Sequence, residues 1–365
     1  MISSPRHSIA SFLLALAAFI FTAPVGAFNS ASWTPERAPA WRGVLERNKK
    51  LSSCQLIGKR VLRGPEDLAV DPEGRIYCGS AKSGKIYRVV ATANGAEQIE
   101  VFADTGGHNL GLKLASNGYL YACNVPKGLL MISPKGEVSV LTEKADDGSP
   151  LTFADDLDID SAGKIYFSNA SSKYNGLNGA RTLRFDLLEG NPYGGLYVYD
   201  PSDKSTKLLV GGLYFANGVA LSKNADYVLV NETCHYQTTR YWLKGPKAGT
   251  HDLFASNLPG LPDGITTDSS GDFWISLPCY RRPHLDFLQH NPKIKNILSH
   301  TPECLWGRTP HYGFVIRMNE AAEILESLQD PHGKIWCVTN VVPWHDYLFL
   351  GTLEGHAIAR YKRPM

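Results

Sequence analysis

Along most of the chain, short stretches of alternating apolar and polar residues are separated by polar turns, the two-residue period of half-buried strands. One such unit recurs. Glu66 opens EDLAVDPEGRIY, Leu110 opens LGLKLASNGYLY, Asp155 opens DDLDIDSAGKIY, Asn217 opens NGVALSKNADYV and Asp263 opens DGITTDSSGDFW. The five copies align over twelve residues without a gap. Each reads as a strand, a turn that usually contains glycine, and a second strand beginning with an aromatic or β-branched pair, which is a β-hairpin.

Successive copies begin 44, 45, 62 and 46 residues apart, the spacing of four-stranded propeller blades. A degenerate sixth copy is visible in WHDYLFLGTL, at residues 344–353. The expected fold is therefore all-β, a six-bladed β-propeller of four-stranded blades around a central tunnel. A strand near residues 55–62 is expected to close the ring beside residues 357–361. Two intervals exceed what a blade needs, residues 171–195 and 279–300, and loops of that kind often carry function. In the second, Leu285, Leu288, Ile294 and Ile297 suit one face of short helical turns. Both intervals are expected to roof one end of the tunnel.

The amino terminus is set apart from the fold. Arg6 and His7 precede an unbroken apolar run over residues 9–21, and Val25-Gly26-Ala27 offers small residues for cleavage, the three parts of an export signal. Residues 1–27 are thus expected to be a signal peptide, or an uncleaved signal anchor if the following residues extend the run. Residues 28–52 form an N-terminal segment, and residues 53–365 the propeller. The expected location is secreted, periplasmic or within the secretory pathway, with membrane attachment only if the segment is retained as an anchor.

The formal net charge of +2 comes with no basic stripe and no nucleic-acid motif, so a nucleic-acid partner is not expected. Seven cysteines in an exported chain permit disulfides but contain no CxxC pair, which argues against a thiolate zinc site. Cys279 and Cys304 bracket an insertion and could bridge; buried reduced thiols in separate blades are the other reading. Asn169-Ala170-Ser171 and Asn231-Glu232-Thr233 fit the glycosylation acceptor pattern and matter only in a eukaryotic secretory route. No GxSxG nucleophile, P-loop or dinucleotide fingerprint occurs in a suitable context.

The repeat also carries chemistry. In a propeller the innermost strand of every blade runs along the channel, so the first residue of each copy converges on the axis. Position one around the ring reads Glu66, Leu110, Asp155, Asn217 and Asp263. Four are oxygen donors and three carry negative charge, an arrangement that is costly unless a cation sits between them. With no sulfur or imidazole in the register, calcium is expected, with magnesium or manganese next. Taken singly, Asp or Asn at a strand start is more often a turn maker bonding its own backbone. Turn chemistry gives no reason to choose the axial position.

GPEDLAVDPEGRIY, FADDLDIDSAGKIYFSNASSKY, FANGVALS, RYWLKGPKAG and LPGLPDGI together resemble the strictosidine synthase-like family, and more distantly the paraoxonase and gluconolactonase propellers. The resemblance implies calcium held by a Glu, two Asn and an Asp, which match Glu66, Asp155, Asn217 and Asp263. Asp155 departs from the usual asparagine but keeps an oxygen ligand. It also implies that Asp263 acts as base or nucleophile in hydrolysis of a lactone or an aryl ester, the ion polarising the carbonyl.

Strictosidine synthase itself depends on a glutamate shortly before a His-Asp pair. Here the pair is His345-Asp346 and the glutamate position is Asn340, whose amide cannot act as a base. The paraoxonase histidine dyad has no convincing match; His108 comes nearest. Leu110, His108 and Asn340 are the expected substrate contacts, with Tyr214 and Phe215 as further apolar wall. Two rival readings stand beside the hydrolase: a non-catalytic propeller scaffold with a structural ion, and a metal-independent enzyme of specialised metabolism.

Overall fold

The structure, a computed structural model, describes residues 28–91, 97–175, 180–302 and 306–364. The expected export segment, residues 1–27, lies outside these, as does Cys304. Six four-stranded antiparallel sheets follow one another around a ring. Their innermost strands are Pro65–Val70, His108–Leu114, Ala154–Ile159, Ala216–Leu221, Ile265–Thr267 and Val338–Trp344, in blades one to six. The protein is a six-bladed β-propeller, as the repeat predicts. Gln55–Ile57, at the start of the propeller, pairs antiparallel with Ile358–Lys362 at its end, Ile57 facing Ile358.

Burial explains why the alternation is uneven along the sequence. Second strands such as Ile165–Asn169 and Tyr227–Glu232 are buried on both faces because the flanking blades cover them. Outer strands such as Glu97–Asp104 are largely exposed. Between blades the large side chains Phe167, Trp274 and Phe314 are wholly buried, each contributing about 1.5–3 kcal/mol by leaving water.

Blade six starts earlier than its visible repeat suggests. Its inner hairpin joins Val338–Trp344 to Tyr347–Thr352 through the two-residue turn His345-Asp346, with Trp344 opposite Tyr347. Position one of that blade is therefore Thr339, five residues before the recognisable segment. Its turn is two residues long where the other copies spend more, so the twelve-residue pattern fails there.

The inner strands are irregular where they matter. In blades one, two, three, four and six the register between first and second strands shifts at position one or beside it, between Pro65 and Leu68, Asn109 and Gly111, Ala154 and Leu157, Ala216 and Val219, and Val338 and Asn340. Such bulges re-aim a side chain and end the regular ladder. In blade five the ladder begins only at Ile265, leaving Asp263 and Gly264 outside it.

In the first five blades position two then joins each blade to the next. Where it is aspartate, its carboxylate accepts a backbone N–H from the following inner strand: Leu112 donates to Asp67 (2.5 Å) and Val219 to Asp156 (2.8 Å). Where it is glycine, the strands approach more closely. A methyl group on Gly218 would collide with the carbonyl oxygen of Asp263, and one on Gly264 with that of Thr339. At the last seam Thr339 Oγ1 donates to the Glu66 carbonyl (2.8 Å). The position-one residues are thus held by the seams.

Both long insertions fold over one end of the ring. The first carries helix α1 (Ala180–Glu189), the second α2 (Pro283–Gln289) and α3 (Pro292–Ser299). Proline opens α2 and α3, where a missing N–H costs nothing. The expected apolar face holds in part: Leu285 and Leu288 line a cavity, whereas Ile297 is 60% exposed and the buried residues of α3 are Lys295 and Ser299.

Residues 28–41 strap the two insertions together. Asn29 N and Ala31 N donate to Glu189, Trp33 N donates to the Gln289 carbonyl, and Lys295 Nζ reaches Ala31 O (2.6 Å). Among the described residues no helix is long and apolar enough to cross a membrane. The described thiols Cys54, Cys78, Cys123, Cys234 and Cys337 are free and buried.

The close seam at Gly218 generates a stability prediction. Gly218→Ala should lower unfolding stability by about 1–3 kcal/mol, the usual penalty of overpacking, read as a lower urea midpoint at unchanged slope. A midpoint equal to the parent protein would show that the seam has slack.

Candidate functional site

The structure brings Glu66, Asp155 and Asp263 into electrostatic contact: Asp263 and Asp155 both act on Glu66, and Asp263 acts on Asp155. Asn217 joins them through a side-chain hydrogen bond to Asp263. Its amide nitrogen also donates to Thr233 Oγ1 (3.3 Å). Glu66, Asp155 and Asn217 are buried, while Asp263 alone of the four keeps partly exposed surface. Leu110, the fifth position-one residue, belongs to an apolar cluster instead. It packs with Phe153, Phe215, Tyr214 and Leu187 in an apolar cluster beneath the roof. Phe215 takes a left-handed backbone (φ 59°) and sets its ring edge-on against Phe153, centroids 5.5 Å apart.

Charge at the centre is not compensated. Burial, then Asp263 and Asp155, push the Glu66 carboxyl well above its usual range, and burial, then Asp263 and Asp156, do the same to Asp155. Burial, then Asp156, pushes Asp263 up to about 8. Among the described residues, no lysine or arginine is among the principal groups acting on any of the three. One layer further along the channel the situation differs, because Lys113 pairs with Asp158 (2.7 Å) and moderates Asp67 and Asp156.

The donors suit a hard cation. They are all oxygens, and Glu66 Oε2 is buried with no hydrogen-bond partner. The buried Oδ1 of Asn340, at position two of blade six, is likewise unpartnered. As the side chains stand, no three His, Cys, Asp or Glu groups among the described residues are arranged to hold an ion. Coordination therefore calls for the amide oxygen of Asn217 and for small side-chain adjustments. The donor chemistry fits; the closed cage is not preformed.

The remaining expected contacts fall in different places. His108 sits two residues before position one and its Nδ1 is bonded to the Ala81 carbonyl (2.8 Å), tying it to the loop of blade one. His345 and Asp346 form the inner turn of blade six, at the opposite end of the inner strand from Thr339, where Arg363 bonds both carbonyls. Asn340 borders a channel cavity of about 220 Å³ together with Asp67, Asp156 and Lys113. A second cavity of about 220 Å³ lies under the roof, bordered by Leu261, two residues before Asp263, and by both insertions. The position-one carboxylates line neither cavity.

Sequence reasoning missed the side chains that steady this centre. Asn231 Nδ2 donates to the Asp263 carbonyl (2.6 Å) while its Oδ1 accepts from Thr238. Asn169 Oδ1 accepts from Phe153 N (3.0 Å) and its Nδ2 donates to the Ser171 carbonyl. Both asparagines head glycosylation sequons, yet both are buried and fully engaged. A signal existed: Asn124, Asn169 and Asn231 each stand three residues beyond the end of the twelve-residue repeat.

With this geometry in place, comparison with known proteins is informative. The strictosidine synthase family signature matches residues 155–246, and the strictosidine synthase-like N-terminal signature matches residues 43–89. The adipocyte plasma membrane-associated protein of Bos taurus is 32% identical, covering 98% of this chain and 92% of that protein. Strictosidine synthase-like protein 13 of Arabidopsis thaliana is also 32% identical, over 83% and 78%.

Solved structures share the fold at low identity. A gluconolactonase from Xanthomonas campestris superposes with a TM-score of 0.62 at 16% identity, covering 94% of this chain and 99% of the other. Regucalcin, a calcium-binding protein from Agrobacterium tumefaciens, gives 0.58 at 12%, over 86% and 96%. Fold, family signatures and full-length similarity agree, and the chain belongs to the strictosidine synthase-like family.

Proposed function

We propose that the protein is a calcium-dependent hydrolase of lactones or esters, with Glu66, Asp155, Asn217 and Asp263 holding the ion and Asp263 reacting. The observation that carries this reading is the buried, unpartnered Glu66 Oε2 beside two more carboxylates, with no cationic side chain acting on it among the described residues. Such a group is costly unless a cation joins it. The gluconolactonase and regucalcin folds support the reading as analogy only.

A bound calcium ion would polarise the substrate carbonyl and stabilise the negative charge that develops on its oxygen. The chain supplies the rest. Asp263, the one partly exposed member of the set, takes a proton from water as the hydroxyl adds to the carbonyl carbon. The C–O bond then breaks and the departing alkoxide recovers the proton. Asn217 donates to the Asp263 carboxylate and favours its charged form, while Asn231 fixes the backbone behind it. Leu110, Phe153 and Phe215 keep bulk water from the roofed side. Amine condensation of the strictosidine synthase kind is disfavoured by Asn340, whose amide cannot take up a proton as a base. Export, with residues 1–27 as signal or anchor, belongs to the same proposal.

Removal of the ion has a pH signature. Asp263 moves from 3.8 to about 8 and Asp156 from 3.8 to about 7 in the folded protein. The ion-free folded state therefore holds protons that the unfolded chain releases. Its stability is fully present below pH ~4 and is lost as pH rises toward ~8. Calcium should raise the melting temperature little at pH 5 and strongly at pH 8, measured by calorimetry with and without chelator. A calcium effect that is absent, or equal at both pH values, removes the ion from this centre.

Turnover separates catalyst from scaffold. Asp263→Asn should lower kcat on an aryl ester or lactone panel by on the order of 100-fold or more, while Glu66→Gln should weaken calcium binding in titration calorimetry. If the unaltered protein binds calcium yet turns over no ester, the hydrolase reading fails and the scaffold reading replaces it.

A further inference from the structure

The cavity beneath the roof has two unlike ends. Its apolar wall is built from Leu187, Leu188, Leu261, Leu285, Leu288 and Trp306, and Tyr236, Cys234 and Gln289 on the same lining are buried. Burial raises the Cys234 thiol well above its ordinary value, so that end offers no nucleophile. Arg184, Arg282, Arg308 and His284 also line it, Arg308 and His284 exposed and Arg184 and Arg282 half-buried, which sets them toward the mouth.

Those arginines stand out by their place, on a lining that is otherwise mainly apolar. Some guanidinium groups are matched, Arg88 with Glu100, Arg240 with Asp252 and Arg281 with Asp286, and here, among the described residues, Arg282 Nη1 donates only to the Arg308 carbonyl (3.4 Å). Among the described residues, Arg184, Arg282 and Arg308 form no ion pair, and no Asp or Glu lines the cavity. One carboxylate comes close, Glu354, which accepts from the lining Thr309 Oγ1 (2.8 Å). In a chain with 37 basic and 35 acidic residues, three arginines and a histidine around one apolar hollow depart from the even mixture. Solvated surface charge would explain one such arginine; three on the lining of one apolar cavity call for an anion. Guanidinium forks match carboxylate and phosphate oxygens.

We propose that this cavity binds an anionic amphiphile, its apolar body against Leu187, Leu261 and Leu288 and its carboxylate or phosphate at Arg184, Arg282 and Arg308. The cavity volume of about 220 Å³ limits the body to a short chain or a single ring system. That the ligand is a substrate rests on the hydrolase reading; that it binds does not.

The test is titration calorimetry of the full chain with four compounds sharing one tail: octanoate, octyl phosphate, octan-1-ol and octylammonium. The two anions should bind at least about tenfold more tightly than the alcohol and the cation, and unequal affinity between the anions identifies the preferred head group. Salt at about 0.5 M should erode the anion preference. The R184Q/R282Q/R308Q protein should lose that preference about tenfold, with its melting curve confirming the fold. R308Q alone, at an exposed site, should lose part of it. Equal binding of all four compounds, binding of none, or an anion preference unchanged in folded variants would overturn the proposal. An anion preference with no ester turnover would overturn only the hydrolase reading.

Discussion

Three carboxylates confined to the axis of a channel, with no cationic side chain prominent beside them among the described residues, set the terms for the rest of this structure. Water solvates such groups readily; a buried channel does not, and like charges there push protons on or draw a cation in. Keeping Glu66, Asp155 and Asp263 together in spite of mutual repulsion requires a rigid frame. The ring supplies it through seams that fix the backbone at position one and position two, with Asp67 and Asp156 bonding the next strand and Gly111, Gly218 and Gly264 letting it approach. The frame and the charge are parts of one design: the residue that carries charge always sits beside the residue that locks the blade.

Much of this was legible because a propeller converts sequence period into spatial rotation. Five gapless copies were enough to place Glu66, Asp155, Asn217 and Asp263 on a common register, and the closing strand expected near residues 55–62 is Gln55–Ile57. The parts that were not legible share a physical cause. Thr339 escaped notice because a two-residue turn shortened its hairpin. Asn169 and Asn231 read only as a match to the glycosylation acceptor pattern, because a sequon says nothing about burial. Ile297 matched a helical period yet points to solvent, since α3 buries Lys295 instead, with its ammonium bonded to Ala31 O, Glu189 O and Gln289 Oε1. A lysine satisfied by three carbonyl-type oxygens belongs to tertiary context that periodicity does not carry.

The roof is held in the same currency of local bonds and long-range separation. Glu189 is buried, pairs with Lys173 (2.6 Å) and accepts from Asn29. Trp33 lies 4.2 Å from the His235 ring, whose other face meets Tyr214 at 3.4 Å. Burial pushes His235 down to about 4, so the stacked imidazole stays neutral at ordinary pH. The strap thereby seals the roof with neutral rings, and the unpaired guanidinium groups are left to the mouth of the cavity.

The closing strand has a consequence for the order in which the molecule is made. Blade six takes its outermost strand from residues 55–57 and its other three from residues 338–362. During synthesis the early strand emerges first and waits, unpaired, until almost the whole polypeptide has left the ribosome. The last hydrogen bonds of the ring are those with the greatest separation along the chain, a topology that slows folding and leaves an open sheet edge in the interim.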